Sequence, residues 1–307
     1  MSQLRQAVDD YLAIRRGLGF KLRDHGPLLA DFVDTLDQAR AATVTTQLTL
    51  AWATKPGGVR PSRWKQRLSV ARGFAGYLNA LDPSAEVPAA DLLPYRRERP
   101  TPYLYSQADI AALLAAAGTL RPSQRAATYQ TLFGLLAVTG MRVGEAIGLD
   151  RDDVDLEIAL VTIRQTKFNK SRQLPLHPST VTALCGYASQ RDQLCNRPKA
   201  PSFFVSTVGT RLIDTLVRSV FARLVGRVGL QPRSGSGRPR VHDLRHGFAV
   251  ATLLDWYRDG VDVAARMPLL SAYLGHTSPA STYWYLQAAP ELLGLAAQRL
   301  EHREGER

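Results

Sequence analysis

The stretch Thr139-Gly140-Met141-Arg142-Val143-Gly144-Glu145 closes one apolar helical run, residues 126–138, and opens a second, short one over residues 141–149. A glycine just past the last periodic position is a helix stop. Arg142 and Glu145 are therefore expected at a junction between two apolar elements, where polar side chains can reach a surface site. Upstream, Ser106 and Asp109 form a capping-box-like start ahead of Ile110, Leu113 and Leu114. Downstream, between Leu156 and Pro175, the residues Ile158, Leu160, Val161 and Ile163 precede the polar turn Phe168-Asn169-Lys170-Ser171 and then Leu174-Pro175-Leu176. This pattern predicts a hairpin or small antiparallel sheet. The rest of the chain to its end is mostly helical in pattern, so residues 106–307 form a helix-rich domain carrying a small sheet.

The first eighty or so residues are helical throughout. Val8, Tyr11, Leu12 and Ile14, then Leu28, Leu29, Phe32, Val33 and Leu36, then Leu68, Val70, Phe74, Tyr77 and Leu78 recur at helical spacing. Pro61-Ser62 starts the third major helix of this region, with Trp52 and Trp64 expected in its core rather than stacked on a ligand. Between residues 81 and 105 the prolines 83, 88, 94, 100 and 102 break every periodicity. The expected organisation is a helical domain over 1–88, a linker over 89–105 and a second domain over 106–307; the fold class is mainly α with a small antiparallel β-sheet.

The chain has 307 residues, 45% hydrophobic and 21% charged, which excludes a disordered tail. Its longest apolar runs, 110–120 and 131–141, fall short of the about 20 residues of a membrane span. No membrane association is expected, and without a basic and then apolar leader over residues 1–10 the expected location is cytoplasmic. Cys185 and Cys195 lack metal-site spacing and are expected to be inert thiols. Against 27 acidic residues stand 39 Lys and Arg, a formal charge of +12 that needs a polyanionic partner. No acidic residue occurs between Asp37 and Asp82, where Arg60, Arg63, Lys65 and Arg67 fall at the start of a helix. Basic residues oppose the helix dipole there, and a bound phosphate would offset the penalty. A second cluster runs from Arg211 to Arg238 and Arg240. Two such clusters in two domains point to a clamp on nucleic acid, with Arg60, Arg63, Lys65, Arg67, Arg238 and Arg240 as the candidate contacts.

Four segments of the second domain gather cationic and polar groups at the ends of apolar elements. They are Thr139 to Glu145, Thr166-Lys167-Phe168-Asn169-Lys170, His242-Asp243-Leu244-Arg245-His246, and Leu274-Gly275-His276 with Tyr285 nine residues on. Two arginines, a lysine, two histidines and a tyrosine suit a reaction at a phosphodiester. Guanidinium forks hold the non-bridging oxygens, imidazole and ammonium groups move protons, and a phenol can be a covalent nucleophile. His242 and His246 stand at i, i+4 with no third ligand at metal spacing, so no metal is expected. Lys170 is an alternative to Lys167, and Tyr283 to Tyr285.

In order and spacing these boxes resemble the tyrosine recombinases, or phage-type integrases, from about Ser106 to the end of the chain. The resemblance implies catalytic roles for Arg142, Lys167, His242, Arg245, His276 and Tyr285, with Glu145 and His246 as supporting residues. Phe168 replaces the glycine that usually follows the catalytic lysine. The resemblance further implies a helical, SAM-like core-binding domain ahead of the catalytic domain, closing as a clamp on double-stranded DNA. Strands would be cut and rejoined through a 3′-phosphotyrosyl intermediate, without cofactor, in a homotetramer or with related recombinase subunits on paired sites. A C-terminal amphipathic segment, 290–300, would fold back on its own domain or, as the resemblance implies, dock on a neighbouring subunit. With the helical domain starting near Met1, no additional arm-binding domain is expected. A type IB topoisomerase and a non-catalytic DNA-binding regulator are the alternatives of the same fold.

Overall fold

The structure, a computed structural model, describes residues 3–20, 22, 24–93, 101–164, 171–233, 236–276, 278, 280–288 and 294. Lys167, Lys170 and, apart from Gly294, the segment 290–300 lie outside the described residues. Those up to Leu93 and those from Thr101 onward form two compact units. No helix of the described residues is long and apolar enough to cross a membrane.

The first unit consists of α1 (Gln3–Gly17), α2 (His25–Gln38), α3 (Thr46–Thr54) and α4 (Pro61–Leu81). The periodic apolar positions are its core: Leu29, Phe32, Leu36, Leu68 and Phe74 are fully enclosed. The Thr45 side chain caps α3 by accepting from the Leu48 N–H. Pro61 opens α4, where its missing N–H is no loss. Trp52 is buried, its ring 4.8 Å from that of Phe32 and its Nε1–H donated to Asp31 at 2.8 Å. Trp64 donates to the Pro56 carbonyl at 2.9 Å, tying the first turn of α4 to the start of the preceding loop.

Arg67, expected among the DNA contacts, belongs instead to this core. Its guanidinium lies 3.8 Å over the Trp52 ring, donates to the Trp52 carbonyl at 3.0 Å and pairs with Asp31 at 2.9 Å, and only 6% of the residue is exposed. One helical turn earlier, Arg63 is exposed and donates to its neighbour Gln66 at 2.8 Å. The four-residue spacing that brings Arg67 onto the same side as Arg63 also brings it down to the level of α3, where an indole face and two acceptors satisfy it.

The second unit contains α5 (Gln107–Gly118), α6 (Ser123–Thr139), α7 (Val143–Ala146), a 3-10 turn (Arg151–Asp153), β1 (Val154–Asp155), β2 (Leu160–Ile163), β3 (Arg172–Pro175), α8 (Pro178–Leu194), α9 (Asp214–Arg227), α10 (Asp243–Arg258), α11 (Val263–Leu274) and α12 (Ala280–Ala288). The capping box of Ser106 and Asp109 is present at α5. The sheet is antiparallel in the order β1-β2-β3, with Val161 opposite Leu174 and Ile163 opposite Arg172. Alternation buries Val161, Ile163 and Leu174 against α6, α8 and α9 residues in one large core. A smaller cluster gathers Ala249, Leu253, Met267, Leu270, Leu274 and Tyr285 between α10, α11 and α12. The mainly α fold with one small antiparallel sheet is therefore as the sequence predicts.

Residues 101–105, expected within the linker, are part of the second unit. Tyr103 and Tyr105 are buried, their rings 4.8 Å apart, and Tyr105 donates to the Arg240 carbonyl at 3.0 Å. Prolines remove periodicity without preventing burial of the aromatics that follow them. Replacing Arg67 with alanine should lower the stability of the first unit by about 2–3 kcal/mol, the sum of a lost cation–π contact and charged hydrogen bonds. Arg63→Ala should change it by less than about 0.5 kcal/mol; denaturant titration followed by tryptophan fluorescence separates the two.

Candidate active site

Among the described residues, α6 and α11 of the second unit are each capped by a left-handed glycine, Gly140 (φ 60°) and Gly275 (φ 66°). A Cβ at Gly140 would lie 2.5 Å from the Phe248 ring, and one at Gly275 2.6 Å from the Arg172 guanidinium, so neither position accepts a larger residue without displacement. The carbonyls at these two ends converge on Arg245, which donates to Gly140 O at 2.8 Å and Leu274 O at 2.6 Å and is 2% exposed. Arg245 sits in the first turn of α10, where the dipole disfavours a cation; the C-terminal ends of α6 and α11 supply the opposite field. Burial and the nearby Arg142 bring the guanidinium down to about 10, against the pull of the Tyr285 phenol and Glu145, so it remains charged at neutral pH.

Arg142 follows Gly140 by two residues and donates to Glu145 at 2.7 Å and to the Gly275 carbonyl at 2.9 Å. Glu145 also accepts the Arg142 backbone N–H. Its two oxygens are further gripped by Arg172, at 3.1 and 2.8 Å, and Arg172 Nε reaches Tyr273 O at 2.8 Å. Burial pushes the Glu145 carboxyl up, but the hydrogen bonds and charge of Arg172, and then of Arg142, outweigh it and hold it below the usual range. Arg172 is a residue the sequence reading missed. The signal was present: in β3 a period of two puts position 172 on the face of buried Leu174, and a cation in that register needs a buried acid.

His242 immediately precedes α10, without a side-chain capping bond, and lies edge-on to His246, ring centroids 4.9 Å apart, one helical turn on. His246 is wedged against Trp284 and Tyr285, at 5.2 and 5.4 Å, with its Nδ1 buried. The His276 ring stacks on that of Tyr285 at 6.0 Å and 24°, and its Nδ1 pairs with the Thr282 hydroxyl at 2.7 Å. The Tyr285 ring is 2% exposed and its phenol lies within hydrogen-bonding reach of the Arg245 guanidinium, whereas Tyr283 is 49% exposed. The structure thus brings Arg142, His242, Arg245, His276 and Tyr285 together, with Glu145 and His246 beside them. Thr282 is a second residue the sequence reading missed; its place three residues before Tyr285, on the same helical face, was the available signal.

The expected DNA contacts are more dispersed. Arg60 and Arg63 are exposed and Lys65 is half-buried at the start of α4, and Arg238 is exposed. Arg240 is also exposed, but its guanidinium is paired with buried Asp243 at 2.9 Å. Others of the second cluster are likewise paired with acids distant in sequence, Arg211 with Asp150 and Arg233 with Asp109.

Burial, reinforced by the surrounding arginines, lowers His242 and His276 to about 4; burial, His242 and Arg240 lower His246 to about 3. All three rings are therefore neutral at pH 7. Because these values lie below the unfolded value of about 6.5, the unfolded chain binds more protons between about pH 6.5 and 3. The stability contributed by the neutral rings is whole above that window and is lost as pH falls through about 4. Thermal unfolding of wild type and His246→Phe from pH 7 to 4 should show a steeper fall for wild type. Parallel curves would contradict the buried, neutral assignment of His246.

Residues 104–291, more than half of the chain, match the model of the phage integrase family. The chain is 45% identical to the putative integrase/recombinase y4rB of Sinorhizobium fredii over 99% of its own length and 98% of that protein's. It is 28% identical to the tyrosine recombinase XerC of Mycobacterium sp. strain JLS over 93% and 94%. Among solved structures, the Tn1549 transposon integrase in complex with transposon right-end DNA superposes with a TM-score of 0.65 at 16% identity, over 96% of this chain and 98% of that one; at that identity the match speaks for the fold. Near-complete coverage by a relative at 45% identity, together with the family match over the unit that carries Arg142, His242, Arg245, His276 and Tyr285, makes this chain a member of the phage integrase family, a tyrosine-type site-specific DNA recombinase.

Proposed function

We propose that the protein cuts and rejoins duplex DNA by transesterification at Tyr285, working as a homotetramer on two paired sites. The observation that carries this reading is the burial of the Tyr285 ring with its phenol in reach of Arg245, beside Arg142, His242 and His276. The phenolic oxygen attacks the phosphorus of a backbone phosphodiester, forming an O–P bond, and the bond from phosphorus to the 5′ oxygen breaks. The products are a 3′-phosphotyrosyl enzyme and a 5′-hydroxyl end. One phosphodiester replaces another, so no external energy source is needed, and attack by a 5′-hydroxyl from a partner duplex reseals a recombinant strand.

A phenol of pKa about 10 is scarcely ionised at neutral pH. Arg142 and Arg245 lower the penalty of ionising Tyr285 and stabilise the charge on the phosphate. In other phosphoryl transfers one well-placed arginine contributes about 10³ to 10⁵ in rate. His242, neutral in the free protein, can accept the phenolic proton, and a bound phosphate would raise its basicity. His276 donates to a phosphate oxygen. Lys167 is assigned by resemblance as the acid that protonates the leaving 5′ oxygen. Arg60, Arg63, Lys65 and Arg238 remain the proposed phosphate contacts, Arg240 only if it exchanges Asp243 for DNA, and the four-helix first unit is the proposed core-binding domain.

Capture from a library of nicked random-sequence duplexes tests the reading and finds the site together. Wild type should form denaturant-resistant protein–DNA adducts whose sequenced ends converge on one motif. Tyr285→Phe should form none and still shift the enriched duplex in a native gel; adducts undiminished by that change would overturn the assignment. Truncation before Pro290 should leave DNA binding intact and weaken assembly on paired sites, read by sedimentation of the protein–DNA complex.

A further inference from the structure

A side-chain hydrogen bond ties His276 to the helix of the nucleophile. Its Nδ1 lies 2.7 Å from Thr282 Oγ1, and Thr282 has no exposed surface. Thr282 is three residues ahead of Tyr285 in α12, so both side chains leave the helix on one face. The same face stacks the Tyr285 ring on that of His276. The backbone of the histidine is fixed separately, its N–H donated to Ser271 O at 2.9 Å just past the glycine cap of α11. What remains free to vary is the orientation of the ring and the nitrogen that carries its proton.

A neutral imidazole has one N–H, and which nitrogen bears it is set by the partner of the other. Burial and the guanidinium groups of Arg245, Arg142 and Arg172 outweigh the opposing charge of Glu145 and keep His276 neutral. A phosphate oxygen only accepts hydrogen bonds, so the ring is useful to it with the proton on Nε2. That tautomer requires a donor at Nδ1, and a hydroxyl, unlike a carbonyl, can be one.

We infer that Thr282 is a positioning residue for strand cleavage: its hydroxyl donates to His276 Nδ1, holds the ring's single N–H on Nε2, and does so only while α12 keeps Tyr285 docked. This rests on the function proposed above and deepens it. Docking the nucleophile and readying the phosphate donor become one event. A phosphate bound while α12 is displaced meets neither the phenol nor a fixed Nε2–H, which disfavours attack by water in place of tyrosine.

The test compares Thr282→Val, which keeps the shape and removes the hydroxyl, with Thr282→Ser, which restores it. Selective nitrogen-15 labelling of the six histidines in the full chain reads each ring's tautomer by NMR without DNA. Wild type and Thr282→Ser should show His276 with its proton on Nε2, and Thr282→Val a mixture or the opposite tautomer. On the duplex enriched by adduct capture, Thr282→Val should cleave about ten- to a hundredfold more slowly at saturating DNA, with unchanged DNA affinity, a smaller loss than removal of a whole transition-state donor. Thr282→Ser should recover most of that loss.

Three results would overturn the inference: a wild-type His276 protonated on Nδ1, a Thr282→Val protein that cleaves at the wild-type rate, or a serine variant as slow as the valine one. The wild-type spectrum decides even if the valine variant fails to fold. Absence of any Tyr285-dependent adduct from wild type would instead remove the proposed function, and the role of Thr282 with it. An adduct formed equally by wild type and Thr282→Val removes the role alone.

Discussion

A guanidinium with almost no exposed surface must be surrounded by acceptors, and for Arg245 these are the carbonyl ends of two helices. Burying a charge without partners would be penalised by several kcal/mol, so α6 and α11 have to end facing one another. Both ends must also turn sharply, which is why Gly140 and Gly275 occupy left-handed backbone with neighbours too close for a Cβ. The chain then leaves each cap directly into the site, with Arg142 two residues after one glycine and His276 immediately after the other. The proximity of these two side chains is thus a consequence of how Arg245 is held.

Around that anchor the charges are balanced rather than merely accumulated. Glu145 is shared between Arg142 and Arg172, and its four hydrogen bonds use both oxygens. The carboxylate keeps two guanidinium groups from repelling each other and from folding over into solvent, while Arg245 stays satisfied by main-chain oxygens. The three neighbouring histidines respond by staying uncharged, since burial and the surrounding cations both oppose protonation. The site therefore presents fixed positive charge together with neutral imidazoles, which suits binding an anion and passing protons with separate groups.

Much of this was legible in the sequence. The ends of α6 and α11 show as Thr-Gly and Leu-Gly after periodic runs, the start of α5 as a Ser106–Asp109 box, and the sheet as alternation over Leu160 to Ile163. Less legible were residues whose partners come from remote elements. Arg67 and Arg63 are alike in a list of basic residues, and only the packing of α3 against α4 makes one a core residue and leaves the other exposed. The β3 register marks Arg172 as inward-facing, but its role emerges through Glu145, 27 positions earlier. Thr282 and His276 meet across the α11–α12 turn, and no local pattern pairs them.

The sequence by itself determined the family and the chemical inventory, because ordered boxes of Arg, His and Tyr with fixed offsets are properties of the chain and survive without coordinates. Tertiary structure decided which member of each similar pair faces the site. Tyr283 and Tyr285 are separated by roughly 200° of helical rotation, so one must point away when the other points in, and only the docking of α12 against α10 and α11 turns Tyr285 toward Arg245. The physical reason is general to charged and polar side chains: their identity is written locally, but their partners, and hence their roles, are set by burial among groups distant along the chain.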